Sequence, residues 1–182
     1  MMMTPQPGGE REMRAAQNGH ATRTRDRDAR GRPRNARPRD ELGRPLRRDA
    51  SGEPPLPDGA ALPPDAALDL AQELIDSGKA FRAHEVLEAS WKAAPSAERE
   101  LWKGLAQVAV GLTHAQRGNA TGAVTLLRRG AQRVADYAQA PPHKIEAAAV
   151  ARYAAELADR IERNGLAAAP PATLRVSLRD AR

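Results

Sequence analysis

The sequence contains no cysteine. Disulfides, thiolate metal centres and cysteine nucleophiles are therefore excluded. Aromatic residues are scarce, with one Phe, two Trp and two Tyr in 182 residues. Each is a conspicuous packing or stacking element, because no other side chain buries as much apolar area. Lysine is scarce too: 25 of the 29 basic residues are arginine. No run approaches the roughly 20 apolar residues of a membrane-spanning helix. Residues 1–17 lack the apolar core of a secretory signal, so no leader and no membrane partner are expected. A cysteine-free chain of this kind is compatible with a cytoplasmic setting.

The net charge of +6 is unevenly placed. Residues 1–50 hold 13 arginines against 7 acids, while residues 51–182 are balanced at 16 of each sign. The basic character belongs to an N-terminal arm, residues 1–63, rich in Arg, Pro and Gly. Such a segment cannot bury enough apolar surface to offset the entropy of ordering. A mobile basic arm can hold phosphates loosely but implies no shaped groove, so nucleic acid is a partner only through the arm. Within it, residues 31–46 alternate Arg32, Arg34, Arg37, Arg39 and Arg44 with prolines and small residues. Arginine forks onto carboxylates, and proline lowers the entropy of an extended chain. This stretch is therefore expected to dock on the acids of the folded part, in cis or on a neighbouring chain, as extended coil without helix or strand; the ordinary alternative is a free arm that binds polyanions loosely.

Helical periodicity begins after Pro63 and Pro64. Leu68, Ala71, Leu74 and Ile75 recur at helical spacing until Gly78, a natural helix-stop residue. A second helix is predicted over residues 80–93, ended by Pro95. A third runs from a cap at Ser96 to about Arg117, and Gly118 ends it. A fourth runs from a cap at Asn119 to about Ala138, before Pro141 and Pro142. A fifth covers roughly residues 143–163, with His143 as an exposed helix-start residue. Residues 166–182 form a tail, whose alternation Leu174, Val176, Leu178 is the only strand-like pattern.

Gly78, Ala83 and Leu87 recur 40 residues later as Gly118, Ala123 and Leu127. The repeat is the pattern of stacked antiparallel helical hairpins. The predicted fold is all-α: about five helices over residues 64–165, built from hairpins, behind a long non-helical arm. The third helix is apolar on most sides and should be the central one. Its Gly104 and Gly111 each cost about 1 kcal/mol relative to alanine, which is tolerable where another backbone comes close.

One polar cluster stands out. His84 and Glu88 are four residues apart on one helical face, flanked by Phe81, Leu87 and Trp91. Trp91 is expected to be largely buried. On the third helix, Gln107 and His114 share a face, so His84, Glu88, Gln107 and His114 can converge. Glu85 points about 100° from His84 and is a peripheral member. The ordinary reading is a structural network, because buried polar groups need partners. A second is a divalent metal held by His84, Glu88 and His114, without the HExxH spacing that would make it specific. A third is acid–base chemistry at His84 or Glu88, with no nucleophile or phosphate loop beside it. No catalytic residue and no cofactor is assigned. Trp102 most simply packs between helices. Arg128, Arg129 and Arg133 make a basic stripe on the fourth helix, read as a solvated face.

The stretch Phe81-Arg82-Ala83-His84-Glu85-Val86-Leu87-Glu88-Ala89-Ser90-Trp91 is followed by Glu98 and Arg99, by Gly104-Leu105-Ala106-Gln107, and by His114, Gly118 and Asn119. Together these residues resemble the domain-of-unknown-function family 309 over roughly residues 66–140. The arm around Gly31-Arg32-Pro33-Arg34 looks like an extension carried by actinobacterial members. The resemblance implies a small all-α cytosolic protein and no established activity or cofactor. Three functions follow as alternatives: a helical binding or scaffold module for a protein or small ligand, a metal-dependent or acid–base enzyme, and a nucleic-acid-associated protein acting through its arm.

Overall fold

The computed structural model describes residues 38–47, 49–51 and 61–179. Among them are five α-helices and no multi-strand sheet: α1 (Pro64–Asp76), α2 (Ala80–Ala93), α3 (Arg99–Gln116), α4 (Ala120–Ala135) and α5 (Ala147–Asn164). Consecutive helices pack on each other, with α3 between α2 and α4. The all-α reading and the five helices hold. The arm upstream of residue 38 lies outside the described residues.

The 40-residue echo has a common cause at its two glycines. Gly78 and Gly118 both adopt a positive φ, +78° and +79°. At each, the glycine N–H and the next N–H reach back to the last turn: Gly78 to Ile75 O and Lys79 to Leu74 O, Gly118 to Ala115 O and Asn119 to His114 O. These are paired Schellman closures, which satisfy carbonyls that a helix end leaves free. The next helix starts at once. Ala83 and Leu87 in α2, and Ala123 and Leu127 in α4, are completely buried. Asn119 both closes α3 and caps α4, its side chain accepting from Gly122 N at 2.9 Å. Asn119→Ala is expected to cost about 1 kcal/mol, the usual value of an N-cap; urea melts of the variant against the parent measure it.

Three expectations need correction. Ser96 is not the cap of α3, which starts at Arg99 after Glu98 and has no side-chain cap bond. α5 starts at Ala147, not His143; His143 and Lys144 have φ of +56° and +57° inside a single 3-10 turn, Pro142–Lys144. The arm's described part is a tight turn rather than extended coil: Leu46 N bonds Pro38 O, Gly43 N bonds Asp40 O, and Arg39 and Pro45 form one antiparallel bridge. The basic stripe on α4 is also partly engaged, since Arg128 bonds Asp159 and Glu162 of α5.

Leu174, Val176 and Leu178 are all buried. Their extended segment runs beside α1, where the Gln72 side-chain amide acts as a strand partner. Its Nε2 donates to Val176 O at 3.1 Å and its Oε1 accepts from Leu178 N at 2.7 Å. Leu178 O accepts from Glu146 N at 2.9 Å. Arg179 completes the seat with Asp65 and Asp69.

Candidate functional site

On α2 the buried stripe is Ala80, Ala83, Val86, Leu87 and Ser90. Phe81, His84, Glu88 and Trp91 lie on its flank and are each only partly buried. On α3, Lys103, Gln107 and Val110 follow at turn-sized steps along one side, and Arg117 lies two turns further on, just past the helix end. Two cation–π contacts tie the rows together at their ends. Lys103 Nζ lies 5.5 Å from the Trp91 ring centre, and the Arg117 guanidinium lies 5.4 Å from that of Phe81. Two packed helices leave a shallow surface groove along their seam, and the α2–α3 seam has a half-buried aromatic ring and a cation at each end.

His84 and Glu88 sit in its middle. His84 Nε2 is 3.9 Å from Glu88 Oε2, an ion-pair distance beyond hydrogen bonding. Glu88 is also held by Lys92 at 3.1 Å, and Glu85 turns away to Arg82 at 3.0 Å. The His84 Nδ1 atom is buried without a hydrogen-bond partner, and so is Gln107 Oε1. Burial holds the His84 imidazole below its ordinary pKa, against the pull of Glu88 and Glu85 and with Lys92 and Arg117 adding to the depression. His84 is thus neutral at pH 7.

His114 is placed elsewhere. Its Nδ1 is 2.9 Å from Asn119 Nδ2, at the turn between α3 and α4. A Cβ on Gly122 would lie 2.7 Å from the same nitrogen. The structure brings His84 and Glu88 together, leaves Gln107 partly buried on α3, and places His114 at the helix end with Asn119. Among the described residues, no group of three or more His, Cys, Asp or Glu is placed to hold a metal ion. Trp91 is half-buried, not a core residue, and Trp102 is the buried tryptophan. Lys103 and Arg117 are members that the sequence reading did not single out. Their helical spacing, four before Gln107 and three after His114, was the available signal.

A second polar knot was missed altogether. Glu98 Oε2 takes a hydrogen bond from Trp102 Nε1 at 3.2 Å and pairs with His143 Nε2 at 2.8 Å. The His143 ring lies 5.8 Å from the Trp102 ring. Partial burial would raise the Glu98 pKa, but the bonds from His143 and Trp102 outweigh it and leave the carboxyl below its ordinary value.

These directions give a pH dependence with a definite sign. His84 and His114 are both depressed, by burial first and then, for His114, by Arg117. The unfolded chain then binds protons before the native one does, so stability falls as pH drops below about 6.5. Depressed Glu98 adds its own loss once pH falls below the ordinary glutamate range, where it protonates in the unfolded chain first. Urea melts between about pH 7 and pH 5.5 are expected to show a falling midpoint, and His84→Phe should flatten that slope.

Fold and site together define a class: an array of antiparallel helical hairpins with a polar groove along its second and third helices. Within it, residues 68–126 match the family model of a domain of unknown function, DUF309. YpuF of Bacillus subtilis (strain 168), described as an uncharacterised protein, is 38% identical over 65 residues. That match covers 35% of this chain and 37% of YpuF. No solved structure matches. The span 68–126 holds both sides of the groove; α5, the tail and the arm's turn lie outside it. No helix among the described residues is long and apolar enough to cross a membrane.

Proposed function

We propose that this chain is a helical binding module whose α2–α3 groove takes a peptide segment of a protein partner. One observation carries the reading: His84 Nδ1 and Gln107 Oε1, on partly buried residues of α2 and α3, are closed off from solvent without hydrogen-bond partners, so each gains a bond where a ligand opens its flank. A buried polar atom left unpaired costs about 1–3 kcal/mol. A purely structural network would have closed on itself. A ligand that brings N–H and C=O groups, as a peptide backbone does, can satisfy both atoms, while half-buried Trp91 supplies flat apolar surface. Arg117 already reads a backbone carbonyl here, that of Leu42, with its Nε at 2.7 Å.

The test is selection of the full chain against a displayed library of random heptapeptides. Enriched sequences are expected to lose binding to the Gln107→Leu and His84→Phe variants and to keep it with Arg128→Ala. The Gln107→Leu protein should be as stable as the parent or more stable by about 1 kcal/mol, because it loses an unpaired acceptor. No enrichment, or enriched peptides indifferent to both groove substitutions, refutes the reading.

A further inference from the structure

The groove's Phe81–Arg117 end is already occupied. The turn formed by residues 38–46 lies on it and meets it through few, specific contacts. Gly43 packs face-on against Phe81: a Cβ there would lie 2.2 Å from the ring's Cγ. Its φ of +72° independently disfavours any side chain. The Arg39 guanidinium stands 5.2 Å from the Phe81 ring centre, so Arg39 and Arg117 both stack on Phe81. Arg39 NH1 also donates to Gly43 O within the turn. Arg117 completes the seat, donating through Nε and NH2 to the carbonyl of Leu42.

The seat reads three things: a glycine thin enough to lie on a ring, an arginine four residues earlier, and one exposed carbonyl beside the glycine. We propose that this end of the groove is a recognition site for an arginine-bearing glycine turn, filled in cis by residues 38–46 as an exchangeable plug. The partner segment that displaces the plug carries the same turn, with Arg four residues before Gly. The proposal rests on the groove reading and deepens it, by naming the chemistry of the peptide and the means of its exclusion.

The plug is built to leave intact. Its hydrogen bonds are largely its own: Asp40 N to Arg44 O, Gly43 N to Asp40 O, Leu46 N to Pro38 O, and Arg44 N to the Asp40 carboxylate. These internal bonds lower the ordering entropy that opposes rebinding. Of its residues only Gly43 is buried, while Leu42 and Leu46 are half-buried. The tail, by contrast, is pinned by three buried aliphatic side chains. In sequence, residues 47–63 separate the plug from α1, which starts at Pro64. Because the plug is covalently part of the chain, it competes as an intramolecular ligand, whose effective concentration is on the order of millimolar for short flexible connections.

The experiment uses the full chain and a fluorescein-labelled synthetic peptide of residues 37–47, followed by fluorescence anisotropy. The Gly43→Val chain cannot seat its own plug and is expected to bind the peptide at least tenfold more tightly than the wild-type chain. Arg39→Ala serves as a second releasing variant, in case the valine disturbs folding. Adding Phe81→Ala to either variant should abolish binding, and a peptide with valine at its glycine should not bind. Equal binding by the wild-type and released chains overturns the proposal, as does no binding by a released chain whose circular dichroism shows it folded. The heptapeptide selection reads His84 and Gln107 whereas this experiment reads Phe81 and Gly43, so the two can fail separately.

Discussion

Trp102→Ala is expected to lower stability by about 3–5 kcal/mol, the range for truncating a core aromatic side chain. Trp102 is 2% exposed. Its indole N–H is bonded to Glu98, so the substitution removes a donor as well as a ring. Glu98 then keeps only His143, and the turn at residues 142–144 loses the ring it leans on. Trp91→Ala should cost much less, because Trp91 is half-buried on the groove flank. The two variants, melted in urea under one buffer, form an internal comparison. A Trp91 loss as large as that of Trp102 would place Trp91 in the core and leave the groove without its aromatic floor.

Gly130→Val is the second large effect, expected to cost roughly 3 kcal/mol or more, the top of the overpacking range. Gly130 faces α3 where two backbones meet. A Cβ there would lie 2.8 Å from Gly104 O and 3.0 Å from Val108 N, both backbone atoms that cannot step aside. Gly104 approaches from the other side, its own Cβ position 2.8 Å from a Val134 methyl. The helix-propensity cost of these glycines is thus offset by a close α3–α4 crossing. Thermal unfolding of Gly130→Val against Gly122→Val separates this crossing from a glycine near the helix start. At Gly122 the nearest atoms belong to the side chains of Asn119 and His114.

Helix ends were legible because their causes are local. Gly78, Gly118 and Asn119 act through their own φ angles and one side chain, and Pro95 blocks continuation by its ring. The start of α5 was not legible. His143 and Lys144 have left-handed φ in a turn whose histidine is tied to Glu98, 45 residues away. The His84–Glu88 pair was readable from a four-residue spacing. The placing of His114 beside them was not, since a helical wheel gives direction but not depth. At the end of α3 the ring found Asn119 first. Trp91 misled for a related reason. Ala80, Ala83, Val86, Leu87 and Ser90 carry the buried stripe of α2, and the larger aromatic lies on the flank. The plug reversed the expected chemistry: an arginine of the domain reads a carbonyl of the arm.

The Gln72 amide joins the start of the fold to its end, with partners 104 and 106 residues further along. Leu68 and Gln72 line one cleft with Val176 and Leu178. During synthesis this face of α1 therefore waits for the last described residues to emerge. At ~5–20 residues per second that interval is ~5–20 s. Through it, Leu68 and the Gln72 amide present an apolar and hydrogen-bonding edge to whatever is near. A nascent chain of this protein is thus exposed at its first helix until residues 176–178 have been made.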